Sequence, residues 1–301
     1  FRKQQPACQR KLIKDIQGIK GSSLLFVPAD TTTNVYKVPV DQYRKLLHEN
    51  VTTAYRKSSQ AAVKAINKES KEIAKKLELD NRIEKLAQKE AYITLKDHKE
   101  NFSANPRCRL INPAKVELGI VSKKHLETIN QRVRAVTNVQ QWRSTDTVIK
   151  WFNGIADKRN RYFVQFDIVD FYPSISEPLL MKALSFAEQR TPIDANVKDI
   201  ILHARKSLLF LNGEPWNKTN GQLFDVTMGS YDGAEVCELV GLYLLQMLRD
   251  LVPSIDFGLY RDDGLGTYSN APGPQIERNK KKTIKLVKQN NLPIQSTWIC
   301  Q

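Results

Sequence analysis

The pattern of apolar and polar positions predicts a chain that mixes short strands with amphipathic helices. Short runs rich in β-branched and aromatic residues favour strands, whereas apolar residues three or four positions apart favour helices. The predicted strands are residues 23–27, 34–38, 91–95, 107–111, 162–168, 255–260 and 265–268, with a tight turn over 261–264. The predicted helices are residues 41–48 capped by Asp41, two within 58–90 broken near 79–81, 122–140, 145–155, 177–189, 197–211, 232–251 and 279–290.

Size and composition restrict the class of protein. The chain has 301 residues, 41 % hydrophobic and 26 % charged, which is too apolar for a disordered chain and enough for one large domain or two to three subdomains. No run of 18 apolar residues occurs, so no membrane span is expected. Four widely spaced cysteines, none in a CxxC pair, argue against a disulfide scaffold and favour a reducing compartment. Because the chain begins at Phe1, we expect a fragment of a longer intracellular protein.

The positive charge is concentrated in one half of the chain. Residues 1–150 carry 30 Lys and Arg against 15 Asp and Glu, whereas residues 151–301 carry 17 of each. A basic half beside a balanced half suggests a part that grips a polyanion joined to a part with another task. Nucleic acid is the leading candidate, because each cation that neutralises a phosphate releases counterions. A solvated basic surface without a partner is the alternative.

The first candidate for chemistry is the segment 166–176, FDIVDFYPSIS. Its strand delivers Asp167 at the strand end, and Asp170 and Tyr172 follow three and five residues later. A carboxylate at a strand end is poorly solvated and requires a cation or a hydrogen-bond donor. The alternative is a turn before a helix, with Phe171 and Tyr172 in the core.

The second candidate is the segment 258–268, GLYRDDGLGTY, in which Asp262 and Asp263 lie at a turn between two strands. Adjacent like charges repel, so such a pair is either fully exposed or bound to a cation. The alternative is structural, since Asp-Gly is a favoured hairpin turn.

The two segments are more informative together than apart. A glycine-opened helix that begins around 228–234 (MGSYDGA) lies between them in the chain. Strands in this order would place Asp167, Asp262 and Asp263 on neighbouring strands of one sheet. Three carboxylates suit two divalent metals that clamp the attacking and leaving oxygens of a phosphoryl transfer. Magnesium is expected because the ligands are hard oxygens and few histidines are near.

At this point the chain resembles reverse transcriptases. FDIVDFYPSI looks like motif A of that family, MGSYDGAEVCELVGLYLL occupies the place of motif B, and YRDD looks like the xxDD box of motif C. LKDHKENFSANPRCRLIN (95–112) resembles the family's finger hairpin. Two further segments, VPADTTTNVYKV and residues 40–55, are similar to segments of the reverse transcriptases of Penelope-like retroelements. The resemblance covers roughly residues 23–295.

The resemblance implies a fold and an activity. The fold is α/β (α+β), a right-hand polymerase with basic fingers over 1–157 and a palm over 158–301 that contains motifs A to D. The palm would be a small antiparallel sheet backed by helices, and we expect the thumb to be absent from this fragment. The activity would be RNA-directed DNA polymerisation within a retrotransposon. Its partners would be an RNA template, a DNA primer or target and a dNTP, with two Mg²⁺ ions, or Mn²⁺ instead, as cofactors. In a eukaryotic host it would act in the nucleus.

The resemblance also assigns roles to residues of this chain. The implied catalytic and metal-binding residues are Asp167, Asp262 and Asp263. The implied nucleotide-binding residues are Lys96, Arg109, Asp170, Phe171, Tyr172 and Gly229. The implied template or primer contacts are Tyr260 and Arg261. Tyr172 would exclude a ribose 2′-hydroxyl, Arg109 and Lys96 would contact the triphosphate, and Gly229 would let the backbone approach template and nucleotide.

The chain departs from the family at three positions. Met228 replaces a glutamine, Arg261 occupies a position that is usually small or apolar, and Thr31 replaces a lysine. Met228 and Arg261 favour an alternative, a decayed or domesticated copy that binds nucleic acid without extending primers. A second alternative is an RNA-dependent RNA polymerase, against which Tyr172 argues because such enzymes must admit the 2′-hydroxyl. Lysines 280–282 lie where the family has its motif D helix, and one of them could approach the leaving pyrophosphate.

Overall fold

The computed structural model describes residues 23–78, 88–113, 116–269 and 272–299. Its α-helices are α1 (Val40–Ala54), α2 (Gln60–Lys76), α3 (Leu118–Thr137), α4 (Thr145–Gly154), α5 (Phe171–Ser174), α6 (Glu177–Glu188), α7 (Ala195–His203), α8 (Gly233–Leu251) and α9 (Gly273–Gln289). Its strands are β1 (Leu24–Pro28), β2 (Val35–Pro39), β3 (Tyr55–Lys57), β4 (Tyr92–Leu95), β5 (Cys108–Ile111), β6 (Gln140–Gln141), β7 (Arg161–Ile168), β8 (Leu209–Leu211), β9 (Glu214–Lys218), β10 (Asp256–Tyr260), β11 (Asp263–Ser269) and β12 (Ile294–Ile299).

A five-stranded sheet, the central sheet, organises the molecule. Its strand order is β12-β7-β11-β10-β6, and every pair is antiparallel except β10 with β6. Strand β7 alternates strictly, so Val164, Phe166 and Ile168 are buried on one face while Gln165 is exposed on the other. Helices α3, α6 and α8 cover the apolar face and complete the largest core of the protein.

Three smaller pieces surround that core. Strands β3, β9 and β8 form one sheet, and β1–β2 and β4–β5 are antiparallel hairpins. The β8–β9 hairpin pairs with β3 across more than 150 residues of sequence, and Tyr55 donates a 2.6 Å hydrogen bond to Asp225. Leu209 and Trp216 of this hairpin therefore pack with residues of the first half of the chain.

Packing crosses residue 157 in both directions. Helix α3 and strand β6, which precede that residue, belong to the central core, and the β8–β9 hairpin, which follows it, belongs to the outer cores. The two regions 1–157 and 158–301 of the sequence prediction are thus interwoven in space.

Most of the predicted elements are present, with several corrections, and the helix predicted over 279–290 begins already at Gly273. The helix predicted over 197–211 ends at His203, and residues 209–211 form a strand, because an apolar run before an Asn-Gly turn fits a buried strand as well as a helix. Helix α1 runs from Val40 to Ala54, so Asp41 lies in its first turn and is not the cap. The turn predicted over 261–264 is shorter, since β11 already begins at Asp263.

Residues 1–22 and most of the second helix predicted within 58–90 lie outside the described residues. Among the helices that are described, none is long and apolar enough to cross a membrane.

Candidate active site

The ends of β7 and β11 bring two carboxylates together. Asp167 lies directly opposite Asp263 in the antiparallel pairing of the two strands. Directly opposed side chains point to the same face, with Cβ atoms roughly 4.5–5.5 Å apart. Since Phe166 and Ile168 point into the core, Asp167 and Asp263 lie on the opposite, more open face.

The third carboxylate lies in the turn that joins β10 to β11. Tyr260 pairs with Asp263, so Arg261 and Asp262 alone make the turn, with Arg261 at a φ of 56°. The backbone carbonyl of Asp262 accepts a 3.0 Å hydrogen bond from the N–H of Ile168. This bond holds the turn beside the end of β7, next to Asp167.

The closeness of the three carboxylates affects their electrostatics. Burial first, and then the charge of Asp262, raises the pKa of Asp167. Burial followed by the charges of Asp262 and Asp167 raises the pKa of Asp263. Lys99 lowers both values, and Lys96 lowers that of Asp167, but neither lysine outweighs the burial. A cation bound here would relieve the repulsion between the carboxylates.

The donor set fits a hard divalent cation such as magnesium. Carboxylate oxygens are the ligands that Mg²⁺ prefers, and raised carboxyl pKa values mark a place where positive charge would be stabilised. Within the described ranges, no three His, Cys, Asp or Glu side chains are already grouped as a metal cage. The fit therefore rests on donor chemistry and electrostatics.

The helical turn α5 places Tyr172 beside these carboxylates. Tyr172 is half-buried and its ring faces the start of α8, where a Cβ built on Gly233 would lie 3.5 Å from its Cε1. Burial raises the pKa of Tyr172 to about 12, and the charges of Arg261 and Asp262 also reach it. The phenol thus lies between helix α8 and the β10–β11 turn.

The two residues before Tyr172 differ in exposure. Asp170 is exposed, with a φ of 48°, at the start of α5. Phe171 is 2 % exposed and packs in the central core, so only its backbone is available to a nucleotide.

Gly229 has a structural reason to be glycine. Its φ is 108°, and a Cβ there would lie 2.6 Å from the backbone oxygen of Asn112, just after β5. The N–H of Asn112 donates to the oxygen of Met228 at 3.1 Å. Glycine at position 229 therefore lets two segments of this chain come close together. The contact of Gly229 with a nucleotide stays a prediction.

The basic residues predicted to bind the triphosphate lie on the β4–β5 hairpin and have different surroundings. Lys96 directly follows β4, and its charge is felt at Asp167. Arg109, on β5, forms a 3.0 Å ion pair with Asp30.

The arginine in the turn packs on its neighbour. The guanidinium carbon of Arg261 lies 5.7 Å from the ring centroid of Tyr260, a cation–π arrangement. In the described part of the chain no ion pair joins Arg261 to Asp262 or Asp263, so this cation does not neutralise the carboxylates by direct contact.

Sequence reasoning missed a buried charge pair beneath this site. Asp232 precedes α8, is fully buried, and accepts hydrogen bonds from Ser122 and Arg205. An Asp before an apolar helix suggests a cap, but the Asp232 side chain makes no capping hydrogen bond. Arg205 stands in a predicted helix with no local signal that it is buried. The pair anchors the start of α8 and so supports the surface against which Tyr172 packs.

The comparisons with known proteins identify a class of fold. No protein-family model matches the sequence, and no curated protein sequence matches it. Solved structures do match: the fold is that of template-directed nucleic-acid polymerases, a mixed α/β architecture with small antiparallel sheets and helices. The right-hand polymerase fold expected from the sequence is thereby confirmed.

Two telomerase structures and one viral polymerase illustrate the match. Apo telomerase from Candida tropicalis, truncated from its C-terminal domain, superposes with a TM-score of 0.66 at 10 % identity, over 97 % of this chain and 61 % of that one. Telomerase from Candida albicans in complex with a fragment of telomeric RNA superposes with a TM-score of 0.64 at 11 % identity, over 98 % of this chain and 52 % of that one. The RNA-dependent RNA polymerase of a human picobirnavirus superposes with a TM-score of 0.51 at 10 % identity, over 96 % of this chain and 64 % of that one. The chain spans about half to two thirds of these structures.

Proposed function

We propose that this chain is the catalytic core of an RNA-directed DNA polymerase from a retroelement, most similar to the Penelope-like elements. One observation carries the proposal: Asp167 and Asp263 are direct cross-strand neighbours, with Asp262 in the adjoining turn, in a fold shared with telomerases and a viral RNA polymerase. The resemblance of three segments to motifs A, B and C supports it. We propose the central sheet with α3 and α8 as the palm, and the β1–β2 and β4–β5 hairpins with the β8–β9 insertion as fingers.

The residues then have distinct tasks in the reaction. The primer 3′-hydroxyl gives its proton to solvent and its oxygen attacks the α-phosphorus of a dNTP. A new O–P bond forms, the bond from the α-phosphorus to the oxygen that bridges it to the β-phosphate breaks, and pyrophosphate leaves. Asp167, Asp262 and Asp263 would hold two Mg²⁺ ions, which supply positive charge to the attacking and leaving oxygens. Lys96 and Arg109 bind the triphosphate, and an RNA template and a DNA primer lie across the open face of the sheet.

Tyr172 is the residue that favours a DNA polymerase over an RNA polymerase. Its half-buried ring lies between α8 and the β10–β11 turn, where it would occupy the space of a ribose 2′-hydroxyl. Relative incorporation of dNTP and NTP tests this assignment. A marked preference for NTP would favour the RNA polymerase, which one structural neighbour is.

Primer extension tests the proposal as a whole. The full-length protein is supplied with an RNA template, a DNA primer, dNTPs and Mg²⁺. Asp262→Asn is expected to reduce extension by about a hundredfold or more, because it removes a metal ligand. Asp256→Asn, at the far end of the same hairpin and exposed, is the matched control and is expected to extend primers like the wild type.

The competing candidate is a copy that binds nucleic acid without catalysis. The observation that favours it is Arg261, a cation in the turn that carries Asp262. Salt-sensitive RNA binding by a wild-type protein that extends no primer would support that candidate and contradict the polymerase. Extension that Asp262→Asn removes and Asp256→Asn retains would exclude it.

A further inference from the structure

Asp30 lies where the hairpins β1–β2 and β4–β5 meet. It follows β1, and its backbone N–H donates a 2.8 Å hydrogen bond to the oxygen of Leu95. The preceding residue, Ala29, forms a parallel bridge with the same leucine. The Asp30 side chain is only 5 % exposed. The β1–β2 hairpin thus fixes a nearly buried carboxylate against strand β4.

This carboxylate holds Arg109. Arg109 Nη1 lies 3.0 Å from Asp30 Oδ1, and the hydroxyl of Thr94, which pairs with Arg109 across the strands, donates to the same oxygen at 3.4 Å. The arginine side chain keeps 34 % of its surface exposed. Because a guanidinium carries five N–H donors in a rigid fork, this ion pair leaves other donors for an oxyanion.

The loop of the hairpin that carries Arg109 lies within electrostatic range of the carboxylates of the central sheet. Lys96 and Lys99 lie in its connecting loop, and the charges of both reach Asp167. The loop lysines of this hairpin thus lie near the place where the proposed reaction occurs, and the proposed function assigns Arg109 of the same hairpin to the triphosphate. An orientation imposed on Arg109 by Asp30 would therefore affect how an anion binds there.

We propose that Asp30 is a positioning residue that orients the Arg109 guanidinium toward the triphosphate of the incoming nucleotide. The inference rests on the proposed polymerase function and adds to it a residue outside motifs A, B and C. An arginine that is already held loses less side-chain freedom when it binds phosphate, so the free energy of nucleotide binding is more favourable.

The same hairpin offers a matched control, Asp97. Its Oδ2 accepts hydrogen bonds from the Thr32 hydroxyl at 2.6 Å, the Asn34 amide at 2.9 Å and the Tyr36 hydroxyl at 3.0 Å. Asp97 therefore secures β1–β2 to the β4–β5 loop as Asp30 does, but its hydrogen bonds do not involve Arg109. A general loosening of the hairpin would follow from Asp97→Asn, whereas loss of the arginine's orientation would follow only from Asp30→Asn.

The test is primer extension by the full-length protein with one dNTP varied. Asp30→Asn is expected to raise KM for the dNTP about tenfold with kcat within about twofold, which corresponds to the loss of one pairwise interaction. Asp97→Asn is expected to change KM by less than about twofold. In an Arg109→Ala background, Asp30→Asn is expected to have no further effect on KM. Asp30→Glu, which keeps the charge, is expected to give an intermediate KM and serves if the asparagine variant does not fold.

The outcomes separate this inference from the proposed function. If the wild type extends primers and Asp30→Asn leaves KM unchanged, Asp30 is not a positioning residue; a lower KM would mean that it competes with the triphosphate. If the wild type extends no primer, the proposed function fails, and calorimetric binding of inorganic triphosphate tests the pair without catalysis. Weaker binding by Asp30→Asn than by Asp97→Asn would support the role of Asp30, and equal binding would overturn it.

Discussion

Gly264 lies directly opposite Phe166 in the central sheet, and the Phe166 ring occupies the space that a side chain at position 264 would need. A Cβ at 264 would be 2.1 Å from Cζ of the ring. Gly264→Ala must therefore displace Phe166 from the core beneath Asp167, and we expect the free energy of unfolding to fall by about 1–3 kcal/mol. Urea denaturation of the wild type and the variant measures this difference in the free energy of unfolding.

The control for this substitution is Gly273→Ala. Gly273 begins helix α9, and a Cβ there meets no atom within 4 Å. Its stability should equal or slightly exceed that of the wild type, since alanine is the better helix former. Equal stability of the two alanine variants would mean that Phe166 moves aside at no cost.

The raised pKa values of Asp167 and Asp263 predict a conflict between stability and metal binding. Each of these carboxyls has a higher pKa in the folded than in the unfolded protein, so its ionisation lowers the stability of the folded state. Between the ordinary and the raised value, the folded state binds more protons, so stability falls as pH rises. Above that window the cost is complete.

Asp263→Asn should therefore raise the Tm of the metal-free protein at neutral pH. Added Mg²⁺ should raise the Tm of the wild type more than that of the variant, because a ligand that binds the folded state stabilises it. Thermal unfolding with and without Mg²⁺ measures both effects. A variant that is less stable than the wild type without metal would show that Asp263 is not under electrostatic strain.

The strands that carry the three aspartates could be predicted from the sequence because their signals are local. The strict alternation around Asp167 defines β7, and two apolar runs around Arg261 and Asp262 define β10 and β11. The order of these segments was enough to expect the carboxylates on neighbouring strands. The pairing of Asp167 with Asp263 was not predictable, since register depends on how β7 meets β11 across almost 100 residues.

Contacts between distant segments account for what the sequence did not predict. The run that forms β8 has no helical or strand periodicity of its own, and its pairing with β9 and the β3–β9 contact decide its conformation. The Asp30–Arg109 pair likewise joins two hairpins through residues that are 79 positions apart in sequence. Neither residue type nor spacing indicates such a pair in advance.

A buried histidine links α2 to α7 and predicts a dependence on pH. His203 is 2 % exposed, its Nε2 lies 2.7 Å from the Ser70 hydroxyl, and its Nδ1 lies 3.3 Å from Glu69. Burial lowers the pKa of His203, although Glu69 opposes this effect. Because the folded state resists protonation, stability should be lost as pH falls from the ordinary histidine value through the lowered one.

His203→Gln tests this dependence. The free energy of unfolding of the wild type should fall more between about pH 7 and pH 5 than that of the variant, because the glutamine at position 203 cannot be protonated in this range. His48→Gln, at an exposed position on α1, should retain the wild-type dependence. Identical pH profiles for wild type and His203→Gln would show that His203 does not titrate differently in the folded protein.

The buried pair Arg205–Asp232 should be among the most sensitive contacts in the protein. Both side chains are at most 1 % exposed, and burial lowers the pKa of Arg205 to about 10 without removing its charge at neutral pH. Asp232 makes no side-chain capping hydrogen bond to α8, so Asp232→Ala would mainly leave that buried cation without its partner. We expect a loss of about 3–5 kcal/mol in the free energy of unfolding.

Asp194→Ala, which removes a helix cap and no charge pair, is the comparison for that loss. Asp194 caps α7, is exposed, and accepts a 2.7 Å hydrogen bond from the N–H of Asn196, with no buried cation beside it. Its removal should cost about 0.5–2 kcal/mol, the usual value of a cap. Equal losses for the two variants, measured by urea denaturation, would mean that the buried charge pair contributes no more than a single helix cap. A larger loss for Asp232→Ala would show that the charge pair beneath α8 contributes to the stability of the surface on which Tyr172 packs.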